Sequence, residues 1–148
     1  MIRLATIEDI PKLVKLGVAF HEATQGGTLL SMDTGHLSRS LRRLIQTHNS
    51  SVIVLDVGGI KGTAALTTSF SYFNSDAVIG YEQFYWIYPE ARGQYGRLLL
   101  SALEDEAKRL KCTHMMMIAL ESLEPDRVGM LYKRLGYRPL EHIYMKAL

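Results

Sequence analysis

Tyr85-Trp86-Ile87-Tyr88-Pro89-Glu90-Ala91-Arg92-Gly93-Gln94-Tyr95-Gly96-Arg97-Leu98-Leu99-Leu100 is the stretch whose reading decides the fold. An apolar, aromatic run meets Pro89, turns through a basic loop containing Gly93 and Gly96, and opens into a helical pattern. Leu99, Leu100, Leu103, Ala107 and Leu110 recur at helical spacing and predict a helix from about Gly96 to Lys111. Free backbone N–H groups at a helix start, with arginines beside them, suit a phosphate or pyrophosphate. The glycines let the backbone approach an anion where a Cβ would stand in the way. Such a loop is common by itself. Its weight comes from a second motif downstream, Leu131-Tyr132-Lys133-Arg134-Leu135-Gly136-Tyr137-Arg138-Pro139.

Working outward, Ile2 to Ala5 reads as a short strand, and Thr6 starts a helix with Glu8 and Asp9 in its first turn. Ile10, Leu13, Val14, Gly17 and Phe20 mark the buried face of that helix, and Gln25-Gly26-Gly27 breaks it. A second helix is predicted from about Gly35 to Gln46, with Leu37, Leu41, Leu44 and Ile45 on one side. Ser51 to Asp56 is a β-branched strand, Val57-Gly58-Gly59 a hairpin turn, and Ile60 to Phe70 the returning strand. Ser71 to Ala77 reads as a loop and Val78 to Tyr88 as a long third strand. On the helix that follows, Glu104 is spaced to pair with Lys108 and Asp105 with Arg109. His114 to Leu120 is a buried-type strand, Asp126 to Leu135 a short helix stopped by Gly136, and Leu140 to Lys146 a final strand. The order β-α-α-β-β-β-α-β-α-β predicts an α/β or α+β fold, a mixed sheet with helices packed on it.

A chain of 148 residues fits one domain, here residues 1–148, and is long enough to bury a real core. With 47% hydrophobic and 22% charged residues it has the composition of an ordinary soluble protein. No apolar run approaches the roughly 20 residues that span a bilayer, and the N-terminal residues lack the apolar core of a secretory signal. The single cysteine, Cys112, excludes an internal disulfide and a multi-cysteine metal site, which leads to an expectation of cytoplasmic residence. A net charge of +2 argues against nucleic acid and membrane as partners.

The element order, with the two motifs in these places, resembles the GCN5-related N-acetyltransferase superfamily. The resemblance covers nearly the whole chain, from the Ile2 to Ile10 opening through the Pro89 and Arg92-Gly93 unit to Leu131–Pro139. It implies a mostly antiparallel central sheet with helices on both faces, acetyl-CoA as cosubstrate and an amine as acceptor. The family's pyrophosphate loop is usually Arg-Gly-x-Gly-x-Gly, and this chain departs from it. Gln94 and Tyr95 separate Gly93 from Gly96. Either one residue is missing and Gly96 is the final glycine, or Gly93 is the first and Tyr95 takes the last small position. The first register keeps Leu99, Leu100, Leu103 and Ala107 on the buried helix face. By this resemblance Arg92, Gly93, Gln94, Tyr95, Gly96 and Arg97 would hold the pyrophosphate. The backbone of Trp86, Ile87 and Tyr88 would hold the pantetheine and the oxyanion. The asparagine that the family often has seven residues before the tyrosine is replaced here by Pro125.

Acetyl transfer requires an amine that loses a proton, a stabilised oxyanion and a departing thiolate that is protonated. Tyr132 matches the tyrosine that resembling enzymes place near the thioester sulfur as general acid. Its alternative is a core aromatic, since Val128, Leu131, Tyr132 and Leu135 share helical spacing. Glu82, on the long strand before the loop, is the candidate base, against the alternative of a solvent-facing or cross-strand glutamate. Strands at such sites often carry a bulge that flips side-chain parity, so Gln83 and Tyr85, on the opposite parity, are the reserve polar groups.

Most of the aromatic residues fall between Phe70 and Tyr95, which favours cross-strand packing over an acceptor pocket or a homodimer interface. The histidines show no metal-ligand spacing, so no metal is expected. Cys112 reads as a buried structural thiol, and Met115, Met116 and Met117 as core filling. Two rival functions stand beside the enzyme. One is a non-catalytic CoA-binding module, suggested by the irregular glycine spacing and Pro125. The other is a nucleic-acid binder using Arg39, Arg42 and Arg43, against which the charge balance argues. Residues Phe20 to Gly35 and Ser71 to Ile79 are where acceptor specificity would lie, and they carry no motif.

Overall fold

The computed structural model describes residues 1–25 and 29–148. Its elements run β1 (Ile2–Leu4), α1 (Ile10–Gln25), α2 (Thr34–Gln46), β2 (Ser50–Asp56), β3 (Ile60–Phe70), β4 (Val78–Ile87), α3 (Gln94–Arg109), β5 (His114–Met116) and α4 (Pro125–Arg134). Short 3-10 turns at Ile7–Asp9 and Pro89–Ala91 lead into α1 and α3. The expected break at Gln25-Gly26-Gly27 falls, at Gly26 and Gly27, outside the described residues.

The five strands lie in sequence order. β1 to β4 are antiparallel, and β5 joins parallel to β4. Side chains alternate between two cores. Val52, Val54, Ala65 and Trp86 face α1 and α2, where Ile10, Leu13, Leu16 and Leu41 complete one cluster. Ile53, Leu55, Ala64, Leu66 and Ile87 face α3 and pack against Leu99, Leu103 and Ala107. β2 is apolar on both faces because both are covered, which accounts for its unbroken β-branched run. Gly17 has a packing reason. A Cβ there would lie 2.6 Å from Leu37 Cδ2, so a larger residue would oblige the Leu37 side chain to shift.

The chain's opening is fixed by charge. Arg3 makes a two-point pair with Asp9, at 2.7 and 3.0 Å, and also reaches Asp56 at 3.0 Å. Asp9 accepts the Thr6 N–H at 2.8 Å as well. The Arg3 bond, backed by the Thr6 N–H, holds the Asp9 carboxyl down at about 2 despite burial.

Four expectations are corrected. The final strand Leu140 to Lys146 is not formed; Leu140, Ile143, Tyr144 and Met145 are exposed and in no ladder. Its would-be neighbour, β5, ends at Met116 rather than at Leu120. An edge of three residues offers too few ladder bonds to offset the entropy of ordering another strand, about 1–2 kcal/mol per residue. The charge pairs on α3 form at three-residue spacing, Asp105–Lys108 and Glu106–Arg109. Ser51 donates to Glu106 at 2.7 Å, and the carboxylate it anchors draws Arg109 onto itself. The aromatics also divide. Trp86, Phe84 and Tyr85 pack in the two cores, whereas Phe70, Tyr72 and Phe73 at the hairpin end are exposed.

Candidate active site

β4 and β5 pair only over Ile79–Tyr81 and His114–Met116, so from Glu82 onward they part. The opening is bordered by a β4 edge, Glu82 to Ile87, that has no strand partner opposite β3 among the described residues. Backbone N–H and C=O groups on such an edge can bind an extended amide-bearing chain, although the Ile87 carbonyl already accepts from Arg92.

Glu82 stands where the strands separate. A bulge between Ala65 and Leu66 of β3 leaves Gln83 as the extra residue of β4. Glu82 therefore pairs with Leu66 and Tyr85 with Ala64, both on the α3 side. The expected opposite parity of Glu82 and Tyr85 is thereby reversed, while Gln83 turns to the other face. The Glu82 side chain is buried and accepts the Ile118 N–H at 2.8 Å. Burial pushes its carboxyl up to about 7, and the Ile118 bond only partly opposes this. A carboxyl poised there can exchange a proton near neutral pH.

Tyr132 projects from α4 to the same place. It is buried, and its hydroxyl donates to the Ile118 carbonyl at 3.1 Å. Burial, then the nearby Glu82 charge, raises its phenol well above the usual tyrosine range, so it stays protonated. Pro125 begins α4, where its missing N–H costs nothing. Glu124 before it adopts a left-handed conformation at φ 43°. Gly136 ends the helix at φ 91°, as its position in the motif predicts. Tyr137 then packs on Tyr132 at 5.6 Å and donates to Glu104 of α3 at 2.7 Å.

The basic loop has a defined shape. Gly93 caps α3 at φ 90° and ψ −124°, a backbone state suited to glycine, and Gln94 and Tyr95 open the helix. Gly96 lies in the first turn, where a Cβ would come within 3.3 Å of the Tyr85 hydroxyl. That hydroxyl donates to the Gly96 carbonyl at 2.6 Å and ties β4 to the start of α3. Burial, with the Glu82 charge second, pushes the Tyr85 phenol up to about 12. Arg97 is exposed in the first turn. Arg92 folds back toward the strand. Its Nε donates to the Ile87 carbonyl at 3.1 Å and its guanidinium lies 4.7 Å from the centre of the Trp86 ring.

Trp86 and Ile87 are buried on β4 and Tyr88 is half-buried just beyond it. The Trp86 side chain turns away from α3, meets Phe20 of α1 edge-on at 5.7 Å, and leaves its Nε1 without a partner. Beside it a cavity of about 180 Å³ lies between α1, α2 and the sheet. The structure thus brings Glu82, Tyr85 and Tyr132 together at the opening, with the Arg92–Arg97 loop at the start of α3. Ile118 and Tyr137 are site members that sequence reasoning missed. Ile118 contributes only its backbone, which leaves no side-chain signal, and Tyr137 sits inside the quoted downstream motif. Among the described residues no group of three His, Cys, Asp or Glu is placed to hold a metal ion, and no helix is long and apolar enough to cross a membrane.

Solved structures share this fold. The tetramutant of the BH1408 protein from Bacillus halodurans superposes with a TM-score of 0.80 at 19% identity, covering 100% of this chain and 99% of that one. A ribosomal-protein-alanine N-acetyltransferase from Brucella melitensis biovar Abortus 2308 gives 0.74 at 15% identity, over 100% and 99%. A glucosamine-6-phosphate N-acetyltransferase from Arabidopsis thaliana gives 0.75 at 16%, over 99% and 97%. At such identities these are likenesses of fold. No curated protein matches the chain in sequence. The sequence model of the acetyltransferase (GNAT) family, however, matches residues 23–137, from late α1 through the Tyr132 motif, and on that match the chain belongs to this family.

Proposed function

We propose that the protein is an acetyl-CoA-dependent N-acetyltransferase that moves the acetyl group directly to a primary amine. The observation that carries the reading is the pairing of Glu82 and Tyr132 on one residue, Ile118, at the point where β4 and β5 part. The residues suit the cosubstrate: a helix start capped by Gly93, two arginines in the loop, and an unpaired strand edge. When bound, acetyl-CoA supplies the acyl group, its C–S bond breaking as the C–N bond to the amine forms.

Glu82 takes the proton the amine gives up, directly or through water, as a carboxylate whose affinity for protons is raised by burial. Tyr132, held protonated, gives its phenolic proton to the departing sulfur and is recharged from solvent or from Glu82. Backbone groups of Trp86 to Tyr88 position the pantetheine and the oxyanion, and the loop from Arg92 to Arg97 anchors the pyrophosphate.

Calorimetry with CoA, followed by a CoA-release assay over an amine panel, tests the reading. Absence of CoA binding at about millimolar concentration would remove it, since that corresponds to only ~4 kcal/mol of affinity. Binding without acetylation of any amine would leave a CoA-binding module instead.

A further inference from the structure

Tyr85 takes no step in the chemistry proposed above, yet its hydroxyl donates to the Gly96 carbonyl at 2.6 Å and joins β4 to the first turn of α3. That turn is weakly secured by its own residues. Gly93 caps the helix without a side-chain bond, and no acidic residue stands in the first turn. The Gly96 N–H reaches back to the Gly93 carbonyl at 3.2 Å, and the N–H groups of Gln94 and Tyr95 come before any helical partner. Two contacts from the strand bracket these amides. Arg92 Nε donates to the Ile87 carbonyl on one side, and Tyr85 holds Gly96 on the other. Gly96 is matched to this contact. Beyond its own helix, the Tyr85 hydroxyl is the one described atom within 4 Å of a Cβ built there. Gly93 differs, since a Cβ there meets no described atom beyond its neighbours and its glycine answers to φ 90° instead. A glycine inside a helix weakens it relative to alanine, so Gly96 calls for a gain elsewhere.

We propose that Tyr85 is a positioning residue for the cosubstrate. Its hydroxyl fixes the first turn of α3 to β4 so that the N–H groups of Gln94 and Tyr95 are set for the pyrophosphate, and Gly96 is glycine to admit that hydroxyl. The inference rests on the acetyltransferase reading above and assigns a role which that reading leaves open. An anion site whose donors already stand in place binds more tightly than one that must be ordered on arrival. A phenol suits the task, because burial keeps it protonated and therefore a donor.

Tyr85→Phe keeps the ring and removes the donor. In calorimetry it should weaken CoA by about fivefold, the scale of one neutral hydrogen bond. Pantetheine, which carries no phosphate, should keep its affinity within about twofold in a chemical-shift titration. Without any ligand, the amides of Leu98, Leu99 and Leu100 should exchange hydrogen faster in the variant, while those of Leu103 and Ala107, further along α3, keep the wild-type rate. Gly96→Ala supplies a second variant. It should weaken CoA in the wild type, and in the Tyr85→Phe background it should cost nothing further, because the crowding atom is gone. CoA held equally by wild type and Tyr85→Phe would overturn the role and leave acetyl transfer intact. Equal losses for CoA and pantetheine would overturn it too, by making Tyr85 a packing residue of the whole site. Additive losses in the double variant would overturn the pairing with Gly96. No CoA binding by the wild type would remove the acetyltransferase reading itself, and this role with it.

Discussion

Glu82 and Tyr132 are tied to the same residue. The carboxylate accepts the N–H of Ile118 at 2.8 Å and the phenol donates to its carbonyl at 3.1 Å. Two side chains from different elements thereby meet at one backbone residue. Both groups hold protons more tightly than usual, for the same reason of burial. The arrangement separates a group that titrates near neutrality from one that does not titrate in the working range.

Glu82→Gln keeps the shape and removes the carboxylate. Turnover on the best acceptor should fall most near neutral pH, and the loss should shrink as pH rises and more amine is already neutral. A pH–rate profile of both proteins checks this. A loss independent of pH would assign Glu82 to positioning the acceptor.

The same substitution should change stability with a definite sign. Below about pH 4.5 Glu82 is protonated in both folded and unfolded chains. Between 4.5 and about 7 the unfolded chain ionises and the folded one does not, so wild-type stability falls as pH rises through this window. The stability of Glu82→Gln relative to wild type should therefore rise by up to about 3 kcal/mol between pH 5 and pH 8. Denaturant melts at the two pH values measure it, and a flat difference would place the carboxyl near its ordinary value.

Tyr132→Phe removes the phenolic proton and leaves the ring against Tyr137. Turnover should drop by about 10²–10⁴-fold, the range of general-acid help, while CoA affinity stays within about threefold of wild type. Single-turnover kinetics alongside calorimetry separate the two. Turnover unchanged within about twofold would return Tyr132 to the role of a core aromatic.

Arg92→Ala should weaken CoA by about ten- to hundredfold, the scale of a lost charge-assisted contact, and reduce the rise in melting temperature that CoA confers. The measurement is a CoA titration of both proteins by calorimetry and by thermal shift. Because Arg92 also covers the Trp86 ring, unchanged CoA affinity with a lower melting temperature of the unliganded variant would make it a packing residue.

Much of this fold was legible because its signals are local. The hairpin at Gly58-Gly59, the apolar face of α3 and the Gly136 stop each follow from a few adjacent residues. The last strand was misread for the opposite reason. The run from Leu140 to Lys146 has a strand's composition, but strand formation depends on a neighbouring edge, and β5 ends too early to provide one. At the site, Tyr132 was legible through its motif, and Glu82 only by its place on β4. Its facing depended on the bulge opposite Gln83, which no residue type announces. The Trp86 side chain was legible only as one of the aromatics between Phe70 and Tyr95, whose cluster favours cross-strand packing over an acceptor pocket.

The shortness of the β4–β5 ladder divides the protein by stiffness. β2, β3 and β4 are cross-linked along most of their length, whereas β5 holds to β4 through three residue pairs. Glu82 thus belongs to the rigid half, and Tyr132, reached through β5, to the compliant one. A molecule wedged into the opening would find one wall unyielding and the other able to give, so Tyr132 would be brought into line by occupancy while Glu82 stays in place. Amide hydrogens of β5 and α4 should accordingly exchange faster than those of β3, and CoA should slow them selectively.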